Sequence, residues 1–390
     1  MADVFVTTKN KSWFERISSA IAGVVGGVVL VAIAFGLLSW NEVRAVNRSR
    51  TLAVGEKEVI DAAAAPVDPA NNGRLVHVTG AVSASGPAVD SLLGVSAEAL
   101  RLRRSVEMYQ WKEESSTERK QKIGGGEEEV TTYTYKKVWS SEPIDSSSFQ
   151  QESNHQNPAA MPIATEDFFP GEVDLGDFAL TDSLLSQADK FEKFPIKSES
   201  IAATSELERI GKVSVVAGSY YVGPDPQKST IGDLRVAFEI VPLGDVSVLA
   251  RQVGDTFEPF SVRDIGSIET LYLGNVSARE MFAGERAANS TLTWILRGVG
   301  FVLMFVGLLA ISAPLPVIAS VLPLAGDLIG AGVALVMFFV ALALTIGTIA
   351  ITWIVVRPLL GIGLLILAVV AVAGGVWLLL RRRQRRLLGA

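Results

Sequence analysis

Between Gly298 and Leu380 the chain runs for 83 residues with two charged side chains, Asp327 and Arg357, where a uniform 19% charge would place about 16. Crossing a bilayer as a helix takes about 20 predominantly apolar residues. This segment is long enough to do so more than once, so an ordinary water-soluble enzyme is excluded. The absence of cysteine removes disulfide scaffolds and thiolate-bound zinc. A net charge of 35 − 41 = −6 gives no general case for binding nucleic acid.

The apolar segments divide into discrete spans. Residues 17–39 are free of charge and would form a helix of about 34 Å, enough for a hydrocarbon core of about 30 Å. Lys9, Lys11 and Arg16 precede this run. It is too long for a cleaved signal sequence and lacks a small-residue cleavage site, so it reads as an uncleaved signal anchor. Further spans are expected at 293–313, 328–356 and 359–380. Arg297 can snorkel from the first turn of the second span, and the long third span must tilt or extend past the interface. Trp13, Trp40, Trp294, Trp353 and Trp377 fall near the expected span ends, as in an aromatic belt.

Four crossings put both termini on one side. The basic tail at 381–390, with Arg381, Arg382, Arg383, Arg385 and Arg386, assigns that side to the cytoplasm, together with the N-terminal tail at 1–16. Residues 40–290 then form an outer domain in a periplasm or an organelle lumen. Several of its segments alternate like strands: 74–82, 105–112, 130–139, 212–222, 234–241 and 246–253. Gly124-Gly125-Gly126 with Glu127-Glu128-Glu129 marks a polar hairpin turn or flexible loop. Helices are expected at 181–191, capped by Thr181 or Asp182, and at 277–289. The fold class is therefore four transmembrane helices with an α+β domain, built on antiparallel sheet, inserted between the first two. Gly73-Arg74-Leu75-Val76 and Gly232-Asp233-Leu234-Arg235-Val236 each lead towards an arginine-bearing strand, a weak sign of internal duplication.

These strands also carry a family signature. Gly73-Arg74-Leu75-Val76-His77, then Leu102-Arg103-Arg104 with Val106-Glu107-Met108-Tyr109-Gln110-Trp111, closely resemble the transmembrane protein 43 (LUMA) family. The similarity continues through His155, Asn157-Pro158, Ala160-Met161, the Gly232 to Val236 run, Ala250-Arg251-Gln252, Gly254-Asp255, Pro259-Phe260 and Arg357-Pro358-Leu359. Asn41-Glu42 and Arg44-Ala45 follow the first span as in the family. The resemblance implies four spans, cytoplasmic tails and a large lumenal domain. Its animal members occupy the endoplasmic reticulum and inner nuclear membrane, self-associate, and are thought to organise complexes with emerin and lamins. No lamin-binding pattern is recognisable here. The Ala/Gly/Val-rich helices and arginine tail have a bacterial look, and in a host without a nucleus the location would be the inner membrane. Only topology, self-association and a scaffold role would then carry over.

Catalysis finds little support among these residues. Nucleophilic catalysis needs a base beside the nucleophile, and the imidazole candidates are His77, in an alternating strand, and His155, in a polar loop. A structural role is the simpler reading of both. Phosphate loops, HExxH helices and EF-hand spacings are absent. Acidic pairs such as Glu166-Asp167 and Asp174 with Asp177 read as solvated loop charges rather than calcium ligands. No catalytic residue, metal or cofactor is expected.

Two binding regions remain. One is a lipid or partner docking patch comprising Arg103, Arg104, Glu107, Tyr109, Trp111, His155, Asn157, Asp233 and Arg235. The plainer alternative pairs Arg101, Arg103 and Arg104 with Glu107, Asp233 or another carboxylate on a neighbouring strand. The other region is intramembrane: Gly23, Gly27, Gly326, Asp327, Gly330 and Arg357. Ala22 with Gly26, Gly23 with Gly27, and Gly326 with Gly330 are spaced for close helix approach, within or between chains. Asp327 suits an N-cap of the third span, with a pore or partner role as its rival, and Arg357 suits an interfacial anchor. The apolar Pro-rich connection at 314–327 is a candidate self-association surface or lining element. The leading expectation is a non-enzymatic membrane scaffold, homo-oligomeric and in contact with the bilayer and other membrane proteins. The alternative is a channel or transporter lined around Asp327 and residues 314–327.

Overall fold

The computed structural model describes residues 3–197, 205–263 and 265–356. The expected fourth span at 359–380, the basic tail and Arg357 lie outside the described residues. The chain divides into two compact units. One holds most of the strands (residues 1–8, 51–118 and 130–284). The other holds the apolar helices together with residues 119–129 (9–50, 119–129 and 285–390).

An eight-stranded sheet follows the order β1 (Asp3–Lys11), β7 (Glu127–Ser140), β6 (Ala99–Gln121), β14 (Leu234–Pro242), β13 (Ser219–Val222) and β12 (Val213–Val216). Two further strands attach to this path, β8 (Glu166–Phe168) on β6 and β11 (Glu192–Phe194) on β14. Alternation explains its faces: Leu234, Val236 and Phe238 are buried while Arg235 between them is exposed. β14 runs antiparallel to β6 with Arg235 opposite Glu107 and Glu239 opposite Arg103.

The second sheet has seven strands: β19 (Thr270–Leu273), β15 (Asp245–Val253), β16 (Thr256–Glu258), β10 (Phe178–Ala179), β9 (Val173–Leu175), β3 (Leu75–Ala84) and β2 (Ile60–Ala62). Because β15 also pairs β3, five strands (β15, β16, β10, β9 and β3) close on themselves. Val76, Val78, Leu175, Val248, Ala250 and the stacked pair Phe178–Phe257 form one core cluster with them. Two small hairpins complete the strands, β4 (Ala88–Asp90) with β5 (Val95–Ala97) and β17 (Phe260–Val262) with β18 (Gly266–Ile268). β3 after Gly73 and β14 after Gly232 have a reciprocal arrangement, each pairing with the strand that follows the other glycine-led segment.

The helices are α1 (Trp13–Glu58), α2 (Asp182–Leu185), α3 (Ser205–Ile210), α4 (Ala278–Ser312), α5 (Pro314–Ala319) and α6 (Pro323–Val356). Among the described residues, three helical segments, Trp13–Glu58, Ala278–Ala319 and Gly326–Val356, are long and apolar enough to cross a membrane. Ala34 and Leu38 of α1, Met304 of α4 and Ala341 of α6 share a small core. Gly27 and Gly307 make a close crossing of α1 and α4: a Cβ on Gly27 would meet the Gly307 carbonyl at 2.6 Å.

The structure adds to two expectations and corrects three. Asp3–Lys11, within the expected N-terminal tail, is an edge strand beside β7. The helix that carries residues 17–39 continues to Glu58, where Leu52 packs with Leu75, Leu249 and Phe282. Residues 212–222 are a hairpin: Ala217 and Gly218 both take positive φ (51° and 79°), as a two-residue turn requires. The helix expected over 181–191 shrinks to Asp182–Leu185, although Thr181 does cap it, accepting a hydrogen bond from the Leu184 amide. The 314–327 connection is mostly helical, since proline is well tolerated in a helix's first turn.

Candidate functional site

In the strand unit, β6 delivers three arginines and each meets a partner. Arg104 is 2% exposed and donates to the fully buried Asp90 at 2.7 Å and to Glu166 at 2.8 Å. Arg101 and Arg103 share Asp167, at 2.6 and 2.7 Å. Arg101 also donates to the carbonyls of Ser186 and Ala188, and Arg103 lies 4.0 Å over the Phe191 ring. Burial acts to raise the Asp167 pKa, but the hydrogen bonds from Arg103 and Arg101 outweigh it and leave it below the ordinary value of 3.8. The partners are thus carboxylates on β8 and at the end of β4. Glu107 and Asp233, named from the sequence as candidate partners, are not used.

The remaining candidates gather further along β6, where Tyr109 and Trp111 fall on the face that also carries Arg103. Tyr109 packs on Trp139 at 5.0 Å, and the Arg235 guanidinium lies 3.9 Å over the same indole. Lys137 sits 4.7 Å over Trp111. His155 is 1% exposed, stacked 3.7 Å from Tyr135 and edge-on to Trp111 at 4.6 Å. Its Nδ1 faces the Gln151 carbonyl at 3.0 Å and its Nε2 faces Asp3 at 3.3 Å. Burial and the hydrogen bond to Glu113 push the Tyr135 phenol up to about 12. His77 is held similarly between Asp61 and the Val276 carbonyl, at 2.8 and 2.9 Å.

Asn157 and Asp233 act on backbone. The register of β14 on β6 ends at Leu234 opposite Met108. Beyond it, the Asn157 amide accepts from the Trp111 N–H at 2.7 Å and donates to the Trp111 carbonyl at 2.9 Å, standing in for a strand neighbour. Asp233 is 5% exposed and accepts from the Tyr221 hydroxyl at 2.5 Å and from the Thr230 amide and hydroxyl. Burial and this contact raise the Tyr221 pKa.

In the helical unit, Gly27 is consumed by the α4 crossing, whereas Gly23 has open space around it. Gly326 packs on Ser320, and a Cβ added at Gly330 would meet Pro316 at 3.6 Å, so both face α5 and its C-terminal end. Asp327 is not an N-cap. It lies past the first turn of α6 and accepts from the Gln121 amide at 2.9 Å at an exposed position. Residues 119–129 form the hairpin end of β6 and β7 and contact the start of α1. Arg16 donates to the Gly125 carbonyl at 2.6 Å and pairs with Glu127 at 3.3 Å. Lys11 pairs with Glu129, and Trp13 donates to the Val317 carbonyl. The three glutamates are therefore paired strand residues rather than a free loop.

One constellation had no role assigned from the sequence. Glu42 is 1% exposed, and Arg297 grips both its oxygens at 2.7 and 2.8 Å. The Trp353 indole also donates to it at 2.6 Å. Beside it, the buried Asn41 donates to the Thr293 carbonyl, while Arg44 reaches Asn289, Thr293 and Asn41. The available signal was the location of Asn41, Glu42 and Arg44 at the end of an apolar run, opposite an arginine that begins another.

Apolar helices that could span a membrane, joined to a large antiparallel-sheet domain whose conspicuous polar groups are bound internally, define a membrane protein with an elaborate extramembrane fold. The sequence profile of Transmembrane protein 43 matches residues 108–358, and the chain belongs to that family. It is similar to Transmembrane protein 43 of Homo sapiens, 34% identical over 365 residues covering 90% of this chain and 89% of that protein. Against the Mus musculus protein it is 32% identical, covering 91% and 90%. The Drosophila melanogaster homolog is 29% identical, covering 87% and 90%. No solved structure matches the chain.

Proposed function

We propose that the protein is a non-enzymatic scaffold of an internal or inner membrane, which associates with further copies of itself and holds other membrane proteins together. The observation that carries this reading is the commitment of chemically capable side chains to structural contacts. His77, His155, Asp233, Asn157 and the β6 arginines all anchor strands or loops. Meanwhile Val25, Val29 and Ile33 of α1, spaced four residues apart, form an exposed apolar helix face suited to lipid or to a second copy.

The topology proposed with it embeds four apolar segments, 17–39, 293–313, 328–356 and 359–380, with the sheet domain inserted after the first and the arginine tail in the cytoplasm. The N-terminal arm adds a condition. A strand hydrogen-bonded into a sheet shares that sheet's compartment, so Asp3–Lys11 goes with the sheet. A complete crossing by 17–39 would separate them. Because the chain has no cysteine, Thr8→Cys and Ser83→Cys can be labelled singly in sealed vesicles. Labelling from the same side is expected; labelling from opposite sides would break the β1 pairing.

The functional test is ion flux in liposomes, comparing wild type, Asp327→Asn and empty vesicles. A scaffold leaves flux at the empty-vesicle level in a folded, inserted sample. Flux above that level which Asp327→Asn alters would replace the scaffold by a conduit.

A further inference from the structure

β1 ends the eight-stranded sheet, with β7 as its neighbour and no strand on its other side among the described residues. At nine residues it is a long edge: β12, β19 and β2, which end the other sheet paths, have four, four and three. An edge strand leaves a row of backbone amides and carbonyls unpaired, and proteins blunt such edges with shortness, charge or proline. All three are missing from the first half of β1. Val4-Phe5-Val6-Thr7-Thr8 is free of charge and proline and rich in β-branched residues.

The two faces of the strand are unequal. Phe5 and Thr7 are partly buried, with the Phe5 ring 6.4 Å from that of Tyr133 on β7. Val4 and Val6 alternate with them on the opposite face and are 53% and 52% exposed.

The order of residues selects the partner. Laid antiparallel on itself about Val6, the strand sets Asp3 opposite Lys9, Val4 opposite Thr8, Phe5 opposite Thr7 and Val6 opposite Val6. Each end of this overlap brings a carboxylate to an ammonium, and opposite charges on facing strands attract. Lys9 is exposed. His155 approaches one carboxylate oxygen of Asp3 at 3.3 Å, and the Asp3 side chain remains 59% exposed. A parallel, in-register pairing would instead set Asp3 on Asp3 and Lys9 on Lys9. The self-complementary arrangement is the one that a two-fold axis generates, and it closes as a dimer.

We propose that β1 is the contact strand of a symmetric dimer, pairing antiparallel with β1 of a second copy over residues 3–9, so that two sheets become one. The inference rests on the self-association reading and gives it a contact surface outside the apolar helices.

Because the chain has no cysteine, single cysteines report the register. Val6→Cys and Val4→Cys, each in the full chain in membranes, are oxidised with copper–phenanthroline. In the proposed pairing Val6 faces its own copy. The two Val4 residues stand four positions apart, about 13 Å along the strand, beyond the reach of a disulfide. Val6→Cys should therefore give a linked product of twice the chain mass, and Val4→Cys should not. Equal linking of both, as parallel pairing or random collision would give, or linking of neither, would overturn the proposal. A product of another mass would assign the edge to a different protein and overturn it too.

Charge reversal supplies a second arm. Asp3→Lys or Lys9→Asp, each combined with Val6→Cys, should weaken the dimer about tenfold, because two attractive pairs become repulsive. Co-expression of the two variants should restore linking, since each copy then meets the opposite charge on the other. Linking unchanged by both reversals, or folded variants that co-expression does not rescue, would contradict the pairing. Absence of linking in a chain that still shows a multiple of its mass in lipid would discard this edge and leave self-association standing. A single chain throughout would remove both.

Discussion

The two units each bury an arginine–carboxylate pair, and they use it differently. In the strand unit, Arg104 reaches Asp90 beneath the sheet and Glu166 at its edge, and its third contact is the Ala164 carbonyl. Those contacts tie three stretches of chain, 88–90, 99–121 and 164–168, into one core. In the helical unit, Arg297 and Glu42 join α4 to α1 and bring in α6 through Trp353, with a polar cavity alongside. The comparison teaches that an arginine conspicuous in sequence can be wholly occupied by its own fold. The docking surface sought on β6 therefore loses Arg104.

The largest expected effect falls on the strand unit. Asp90→Ala leaves Arg104 buried beside a missing partner and should cost about 3–5 kcal/mol, read as a lowered unfolding midpoint of the sheet domain. A change below about 1 kcal/mol would mean that Glu166 alone satisfies Arg104. On the helical side, Gly27→Leu forces a side chain into the Gly307 backbone and should cost about 1–3 kcal/mol of fold stability. Gly23→Leu, with open space around it, should leave the fold intact and change only association between copies. If both behave alike, the distinction between a crossing within the chain and an open face fails.

Glu42→Gln should cost about 1–2 kcal/mol, less than Asp90→Ala, because the unfolded reference in a membrane also offers polar partners. Equal costs would erase the contrast between the two pairs. Acid titration sharpens the strand side further. Arg103 and Arg101 hold the folded Asp167 pKa below 3.8. The stability from this group is therefore present above the unfolded carboxylate value and lost as pH falls through the lower folded value. Arg103→Met should flatten this acid limb, since it removes one of the two cations responsible. Asp327→Asn is expected to be the smallest effect, below about 1 kcal/mol, because its bond to Gln121 is exposed.

Much of this was legible in the sequence, for physical reasons. The charge gap marked the apolar helices because a bilayer forbids scattered charge. Alternation marked β6 and β14 because one face of each is buried, whereas β3 and β15 are buried on both faces over part of their length and β7 buries Tyr135 alone. The Arg-Arg-x-Val-Glu-Met-Tyr-Gln-Trp run carried the family signature. What stayed hidden depends on long-range pairing. Periodicity says which face Arg104 occupies but not that Asp90, on another hairpin, lies opposite. Asn157 gives no sign from its neighbours that it will complete the backbone bonding of Trp111, 46 residues away. Lys9 and Lys11 read with Arg16 as the basic flank of a signal anchor, and Val4 and Val6 stay about half exposed even as strand residues, so no buried face announced β1. The proline-rich 314–327 stretch read as a connection because proline ends helices more visibly than it starts them.

The central claim is that the protein is a self-associating membrane scaffold, and its mass in lipid tests that claim most directly. Purified into nanodiscs across a range of protein-to-disc ratios, the 41.6 kDa chain is expected to give a defined multiple of its own mass, shifted towards the single chain by Gly23→Leu. A single chain per disc at every ratio, with Gly23→Leu indistinguishable from wild type, would contradict it.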